Sequence, residues 1–375
     1  MADTHQTPTL HAVAPFVTRS LRESERGVVI LALDGLPFAP AERAFRSAAV
    51  GAARSTFPST SVTAWLTAVT GASVSEHLTV GMALRVPGTD RVANLVSGDA
   101  DGWDDSEPAP PDLLGSPPTI FDTARAGGAD ALMWGPDLEP LTGPWIRALT
   151  RGADLLPSGH ATDLTTDPVR AAERAIAAVD AIVAGAKRPT LLWAYVNVDD
   201  HLHAYGPDAA VDDALRRLDA AARRWAAAGW RVIAHADHGQ ARIDPRPDLQ
   251  EAWARLATPK FCRAPAGGAG RVRWLYPHPD LADQVYADLA DALGDQADVV
   301  SFDELTERGL MPDHGPLRER VGEVVAIAAG PGFPVYRASD NFDHGSTTAD
   351  ETVVAFAVWP PGPTLSPDPA AGPHT

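Results

Sequence analysis

The sequence predicts an α/β fold: a central, mainly parallel β-sheet flanked by helices on both faces, in one domain with loop insertions. Three observations predict it. Short apolar, β-rich runs recur at 28–33 (VVILAL), 190–196 (TLLWAYV), 231–236 (RVIAHA) and 352–358 (TVVAFAV). They lack the polar alternation of a half-exposed strand, so both of their faces are expected to be buried. Ala-rich amphipathic stretches at 168–186 and 208–229 lie between several of them, which is the strand–helix–strand order of a parallel sheet.

Taken in order, residues 1–26 read as an N-terminal extension and 27–360 as the main folded domain; 361–375 form a Pro-rich, irregular tail. The first strand, 28–33, runs straight into Asp34-Gly35. Behind Pro58, Val62, Trp65, Leu66 and Val69 recur at helical spacing, so a helix is expected to start near Thr60 or Ser61. Segment 100–118 (ADGWDDSEPAPPDLLGSPP) reads as an acidic, Pro-rich loop. The remaining strands and helices follow, with no internal repeat and no clear domain boundary.

Composition narrows the function. The 375-residue chain has a formal charge of −18, which disfavours nonspecific binding to nucleic acid or anionic membranes. Its one cysteine, Cys262, excludes an intrachain disulfide and a cysteine-rich metal cluster. The first residues lack a basic start followed by an apolar core, and no apolar run approaches membrane-spanning length. A cytoplasmic protein without membrane association is expected.

Ionisable residues gather where the strand-like runs end. Asp34 follows the first; Asp199 follows the second, with His203 four residues later; Asp237-His238-Gly239 follows the third; Asp343-His344-Gly345 precedes the last. In open parallel sheets ligands bind beyond the carboxyl ends of the strands, so these side chains can converge. Singly, Asp-Gly and His-Gly are common turns. Together, three of these aspartates and the three histidines have the donor chemistry of two divalent ions, zinc best and manganese second. Two such ions would reverse the local sign of a strongly acidic chain and admit a phosphate.

The ordered motifs Asp-Gly, FPSTS-x-TA…TG, Asp-x-x-x-His-x-x-Gly-Pro, ADHG and HG resemble the type I phosphodiesterase/nucleotide pyrophosphatase branch of the alkaline phosphatase superfamily, from about residue 28 to 360. The resemblance implies an alkaline phosphatase-like fold with one metal held by Asp34, Asp237 and His238 and another by Asp199, His203 and His344. It places the nucleophile nine residues before Thr70, at Ser61, whose oxygen would also meet a metal. Thr60 is the runner-up, and Thr60, Val62 and Thr63 are the implied substrate-binding positions. The implied chemistry is hydrolysis of a phosphodiester or pyrophosphate bond in a small phosphate ester or nucleotide-like substrate, through a phosphoserine.

Two positions depart from the family pattern. No Asn stands beside the nucleophile, so Ser55, Thr63 or a backbone amide is expected to help hold the phosphoryl group. The family's EHG is Glu76-His77-Leu78, and His77 is expected to be structural. His201 and His235 are expected to support the site or lie on the surface. The alternatives are a phosphomonoesterase on a small intracellular metabolite and a non-catalytic metal-binding scaffold. A metal-free Ser-His-Asp hydrolase is disfavoured because FPSTS is not a Gly-x-Ser-x-Gly elbow. Specificity is expected in the insertions at 85–118 and 240–320.

Overall fold

A computed structural model describes residues 7–366 except 161 and 338. The start of the N-terminal extension and most of the Pro-rich tail lie outside the described residues. The central sheet has seven strands, in the order Ala49–Arg54, Val353–Trp359, Arg231–Ala236, Gly27–Asp34, Thr190–Asn197, Asp130–Trp134 and Asp154–Leu156. Val353–Trp359 runs antiparallel to both of its neighbours. The other pairings in the sheet are parallel.

The local reasons are plain in the burial. Every residue of Gly27–Asp34 is buried, as expected of a strand covered on both faces. Its neighbours lock in register, with Asp34 opposite Asn197 and Leu33 opposite Ala236. This brings the ends of the three strands, and the residues that follow them, to one edge of the sheet.

Helices cover both faces. Pro168–Gly185 and Ala209–Ala227 pack against one another, each started by an aspartate, Asp167 and Asp208, that accepts two backbone N–H groups of the first turn. Val13–Glu23 packs against the strand Gly27–Asp34 and against the helices Ser61–Thr70 and Ile120–Ala126. Leu10, Val13, Phe16 and Val17 of the N-terminal segment are buried in the same core. Within 1–26, residues 10–23 are therefore built into the domain rather than appended to it. Among the described residues, no helix is long and apolar enough to cross a membrane.

The insertions form a second sheet. Its eight strands run Ala297–Val300, Val324–Ala328, Val272–Pro277, Cys262–Ala269, Ala83–Arg85, Val92–Asn94, Asp99–Asp101 and Ser106–Pro108. Adjacent strands in it are antiparallel. The expected loop at 100–118 is thus corrected: its first part contributes two short strands. Three-residue strands carry too little periodicity to be read locally; these two pair with one another, and Asp99–Asp101 with Val92–Asn94, which joins the sheet through Ala83–Arg85.

Candidate active site

The helix Ser61–Thr70 starts where the sequence places it. Thr60 is the extended N-cap residue and Ser61 the first helical residue. Gly71 ends the helix in the left-handed region at φ 69°, which a residue with a Cβ adopts at a cost. Residues 62–69 are all buried, so the helix is wedged into the core with its N-terminus at the strand ends. No side chain caps it. Thr60 O accepts the N–H groups of Thr63 and Ala64, and those of Ser61 and Val62 stay open. Open donors at a helix start favour an anion.

The hydroxyls of this stretch have different partners. Ser61 Oγ lies 3.0 Å from His238 Nε2 and 3.3 Å from Asp34 Oδ1. Thr60 Oγ1 donates to Thr63 Oγ1 at 3.3 Å, and Thr63 Oγ1 accepts Gly81 N–H at 3.0 Å. Thr56 Oγ1 donates to Pro58 O, and Ser59 Oγ to Ser346 O. Ser55 Oγ donates to the backbone carbonyl of Asp237. Of these side chains, only Ser61 touches two of the candidate metal ligands.

All six of those ligands come together around it. Oxygen and nitrogen atoms of Asp34, Asp237 and His238 lie within 4.8 Å of one another, as do those of Asp199, His238 and His344, and of His203, Asp343 and His344. His238 Nε2 is 3.3 Å from Asp237 Oδ2 and 3.6 Å from Asp34 Oδ1. His203 Nε2 is 3.2 Å from Asp199 Oδ2, one helical turn away. The rings of His238 and His344 stack with centroids 3.5 Å apart. Asp343, one of the strand-end aspartates, joins His203 and His344, a role the resemblance did not give it.

The imidazoles are oriented from behind. Nδ1 of His203 donates to Phe342 O at 2.8 Å, Nδ1 of His344 to Ser59 O at 2.9 Å, and Nδ1 of His238 to Gly239 O at 3.0 Å. Each bond turns Nε2 towards the cluster, the orientation metal-binding histidines use. Gly35 N donates to Asp237 Oδ1 at 3.0 Å, whereas among the described residues the buried Asp237 Oδ2 has no hydrogen-bond partner. Tyr195 donates its hydroxyl to Asp34 Oδ2, and Gln240 donates its amide to Asp199 Oδ1.

The electrostatics call for cations. Burial, and then repulsion from Asp237 and Asp199, hold the Asp34 carboxyl well above the usual carboxylate range. Burial pushes Asp237 up to about 6. Burial also opposes the charge of Asp199, but His203, His344 and His238 outweigh it and hold this carboxyl low. His203, desolvated yet beside Asp199, is raised to about 10. Burial lowers His238 and His344 to about 4, so they are neutral bases at pH 7. Buried carboxylates that repel one another, neutral imidazoles and an orphaned carboxylate oxygen fit divalent ions.

The site opens into a cavity of about 290 Å³ lined by Thr60, Ser61 and Val62 on one side and by Met82, Val96, Leu138, Leu141 and Trp145 as an apolar wall. Thr63 is not among the lining residues; its bonds to Gly81 and Thr60 place it behind the helix start. The cavity also meets Asp137, Asp200, Tyr336 and Arg337, which no motif singled out. Met82 and Val96 flank short strands of the second sheet, and no local sequence signal ties them to the cavity.

Three histidines stand apart. His201 pairs with Asp208 at 3.1 Å. His235 is buried in the central sheet with its ring 5.2 Å from that of Trp65. His77 is buried, donates from Nε2 to Thr67 Oγ1 at 3.0 Å and accepts Thr79 N–H at Nδ1, 3.2 Å away. Burial lowers His77 from its ordinary value to about 3. The unfolded chain therefore binds a proton at this position that the folded chain refuses, and stability falls as pH drops from about 6.5 towards 3. We expect His77→Gln to remove up to about 1.4 kcal/mol per pH unit of that slope, measured by urea denaturation at pH 6 and pH 4.

The fold matches solved structures at low identity. Phosphonoacetate hydrolase from Sinorhizobium meliloti 1021, in complex with phosphonoacetate, is 18% identical with TM-score 0.62, and 92% of each chain is covered. Murine ectonucleotide pyrophosphatase/phosphodiesterase 5 is 16% identical with TM-score 0.59, covering 88% of this chain and 87% of that one. An inactive form of the murine protein in complex with AMP is 17% identical with TM-score 0.60, covering 89% and 88%. A search of curated proteins finds no match. The chain shares its fold with these structures. The sequence is decisive for the family: its model matches residues 28–350, so the chain belongs to the type I phosphodiesterase/nucleotide pyrophosphatase family and is a metal-dependent phosphoester hydrolase.

Proposed function

We propose that this chain hydrolyses phosphodiester or pyrophosphate bonds in a small, nucleotide-like phosphate ester, with Ser61 as nucleophile and two divalent ions, zinc or else manganese, as cofactors. Asp34, Asp237 and His238 would hold one ion, and Asp199, His203 and His344 the other. The observation that carries the reading is the position of Ser61 Oγ, 3.0 Å from His238 Nε2 and 3.3 Å from Asp34 Oδ1 at an uncapped helix start. When bound, the ions supply positive charge that stabilises a deprotonated serine and the phosphoryl oxygens.

The chain's own groups do the rest. The open N–H groups of Ser61 and Val62 receive phosphoryl oxygens, the role that backbone amides take here in place of the missing Asn. Ser61 Oγ gives its proton to solvent and attacks phosphorus in line; the new O–P bond forms as the bond to the leaving oxygen breaks, and the leaving group departs after taking a proton from water. Water then cleaves the phosphoserine and restores Ser61. The apolar wall of Met82, Val96, Leu138, Leu141 and Trp145 has room for a second ester substituent, which favours a diester over a monoester.

A panel of bis(p-nitrophenyl) phosphate, p-nitrophenyl phosphate and a dinucleoside pyrophosphate tests this, each with zinc, manganese or chelator. The expected outcome is metal-dependent hydrolysis with higher kcat/KM for the diester or pyrophosphate than for the monoester. A preference for the monoester would replace this reading with the phosphatase one, and hydrolysis unaffected by exhaustive chelation would overturn the metal role. Elemental analysis should find about two ions per chain. Asp34→Asn and His203→Ala should each reduce that to about one, with losses of orders of magnitude in rate.

A further inference from the structure

Apart from the Ser61 hydroxyl at Asp34, each of two candidate metal-binding carboxylates is gripped by an uncharged donor from a different part of the chain. Tyr195 lies in the strand Thr190–Asn197, opposite Ala32, and its hydroxyl donates to Asp34 Oδ2. Gln240 lies between His238 and the short strand Ala241–Arg242, and its amide nitrogen donates to Asp199 Oδ1. The reverse amide orientation would set a carbonyl oxygen against a carboxylate, so the donor is defined. Both side chains are buried.

Their anchorage is rigid. The ring of Tyr195 stacks on Trp193, at 5.8 Å, and meets Trp65 edge-on at 6.3 Å. Ala241, next to Gln240, pairs with Asp343, and Arg242 with Phe342, so the backbone that carries Gln240 is tied to the backbone that carries His344. Gly35 closes the other side of Asp199: a Cβ there would stand 2.3 Å from Asp199 Oδ1. Among the described residues, no Lys or Arg bonds Asp34, Asp199 or Asp237. A cationic donor would compete with a metal for the carboxylate charge, whereas a hydroxyl or an amide orients it and leaves that charge free.

We propose that Tyr195 and Gln240 are positioning residues, one for each metal site: Tyr195 orients Asp34 and Gln240 orients Asp199. The inference rests on the two-metal reading of the site, so its test runs on single-site backgrounds. Asp199→Ala should leave only the Asp34 site, and Asp34→Ala only the Asp199 site. Zinc affinity is measured by competition with a chromophoric chelator, with no turnover required.

In the Asp199→Ala background, Tyr195→Phe should weaken zinc binding by about 10–100-fold and Gln240→Met by less than about threefold. In the Asp34→Ala background the order should reverse. Phe and Met keep most of the buried volume, so the crossed pattern isolates the lost donor from lost packing. Equal losses on both backgrounds, or losses below about threefold throughout, would overturn the positioning roles. If Asp34→Ala and Asp199→Ala each still bind two ions, the metal assignment itself fails, an outcome distinct from failure of the positioning roles.

Discussion

Ser61→Ala is expected to lower kcat/KM by about 10³-fold or more, equivalent to about 4 kcal/mol of transition-state stabilisation, while leaving the fold and most of the bound metal in place. The hydroxyl contributes nothing to the core: Ser61 is the first residue of its helix, and the buried stripe begins at Val62. What the substitution removes is the oxygen that lies between His238 and Asp34. Thr60→Ala should cost far less, because its hydroxyl bonds Thr63 and does not cap the helix. Ser61→Thr keeps a hydroxyl and should retain part of the activity. Steady-state kinetics with bis(p-nitrophenyl) phosphate and metal analysis of the same samples check this. Label trapped on Thr60 or Thr56, rather than on Ser61, would overturn the assignment.

Glu351→Ala is expected to destabilise the fold by about 3–5 kcal/mol, because it leaves a buried guanidinium without its counter-charge. Glu351 is fully buried, and Arg271 Nε donates to its Oε1 at 3.1 Å. The same oxygen accepts Ser346 N–H at 2.8 Å, and Thr348 donates to the other. Arg271 N–H in turn donates to His344 O at 2.7 Å. The pair thus clamps the His344 loop between the two sheets. Its loss should also weaken metal binding. Urea denaturation measures the first effect and zinc competition the second. Arg271→Met with Glu351→Leu removes both charges and should recover part of the stability. A loss below about 1 kcal/mol for Glu351→Ala would place the pair among those that contribute little.

Much of the central sheet was legible because long buried strands and long helices carry their own periodicity. The run at 231–236 coincides with Arg231–Ala236, and 28–33 extends by one residue at each end to Gly27–Asp34. The helices expected at 168–186 and 208–229 are Pro168–Gly185 and Ala209–Ala227. Asp34, Asp199, Asp237 and His238 could be named because each stands at or just beyond the end of such a strand, where a parallel sheet gathers its polar groups. The helix start at Thr60–Ser61 was equally local: a turn at Pro58, followed by an apolar stripe.

The second sheet, the apolar wall and the supports of the site were decided only by tertiary structure. Ala83–Arg85 and Cys262–Ala269 meet across about half of the chain, and neither strand predicts the other. Met82 and Trp145, far apart along the chain, line one cavity only in the folded protein. Tyr195 reads in sequence as one more aromatic residue of a buried strand, and Gln240 as one more polar residue after a turn. Their hydroxyl and amide acquire meaning from what lies opposite, Asp34 and Asp199. Sequence by itself determined the elements whose information is local, periodicity and punctuation along the chain. The pairings that orient a carboxylate, close a cavity or neutralise Glu351 depend on distances in space, and those exist only once the sheet has aligned its strand ends.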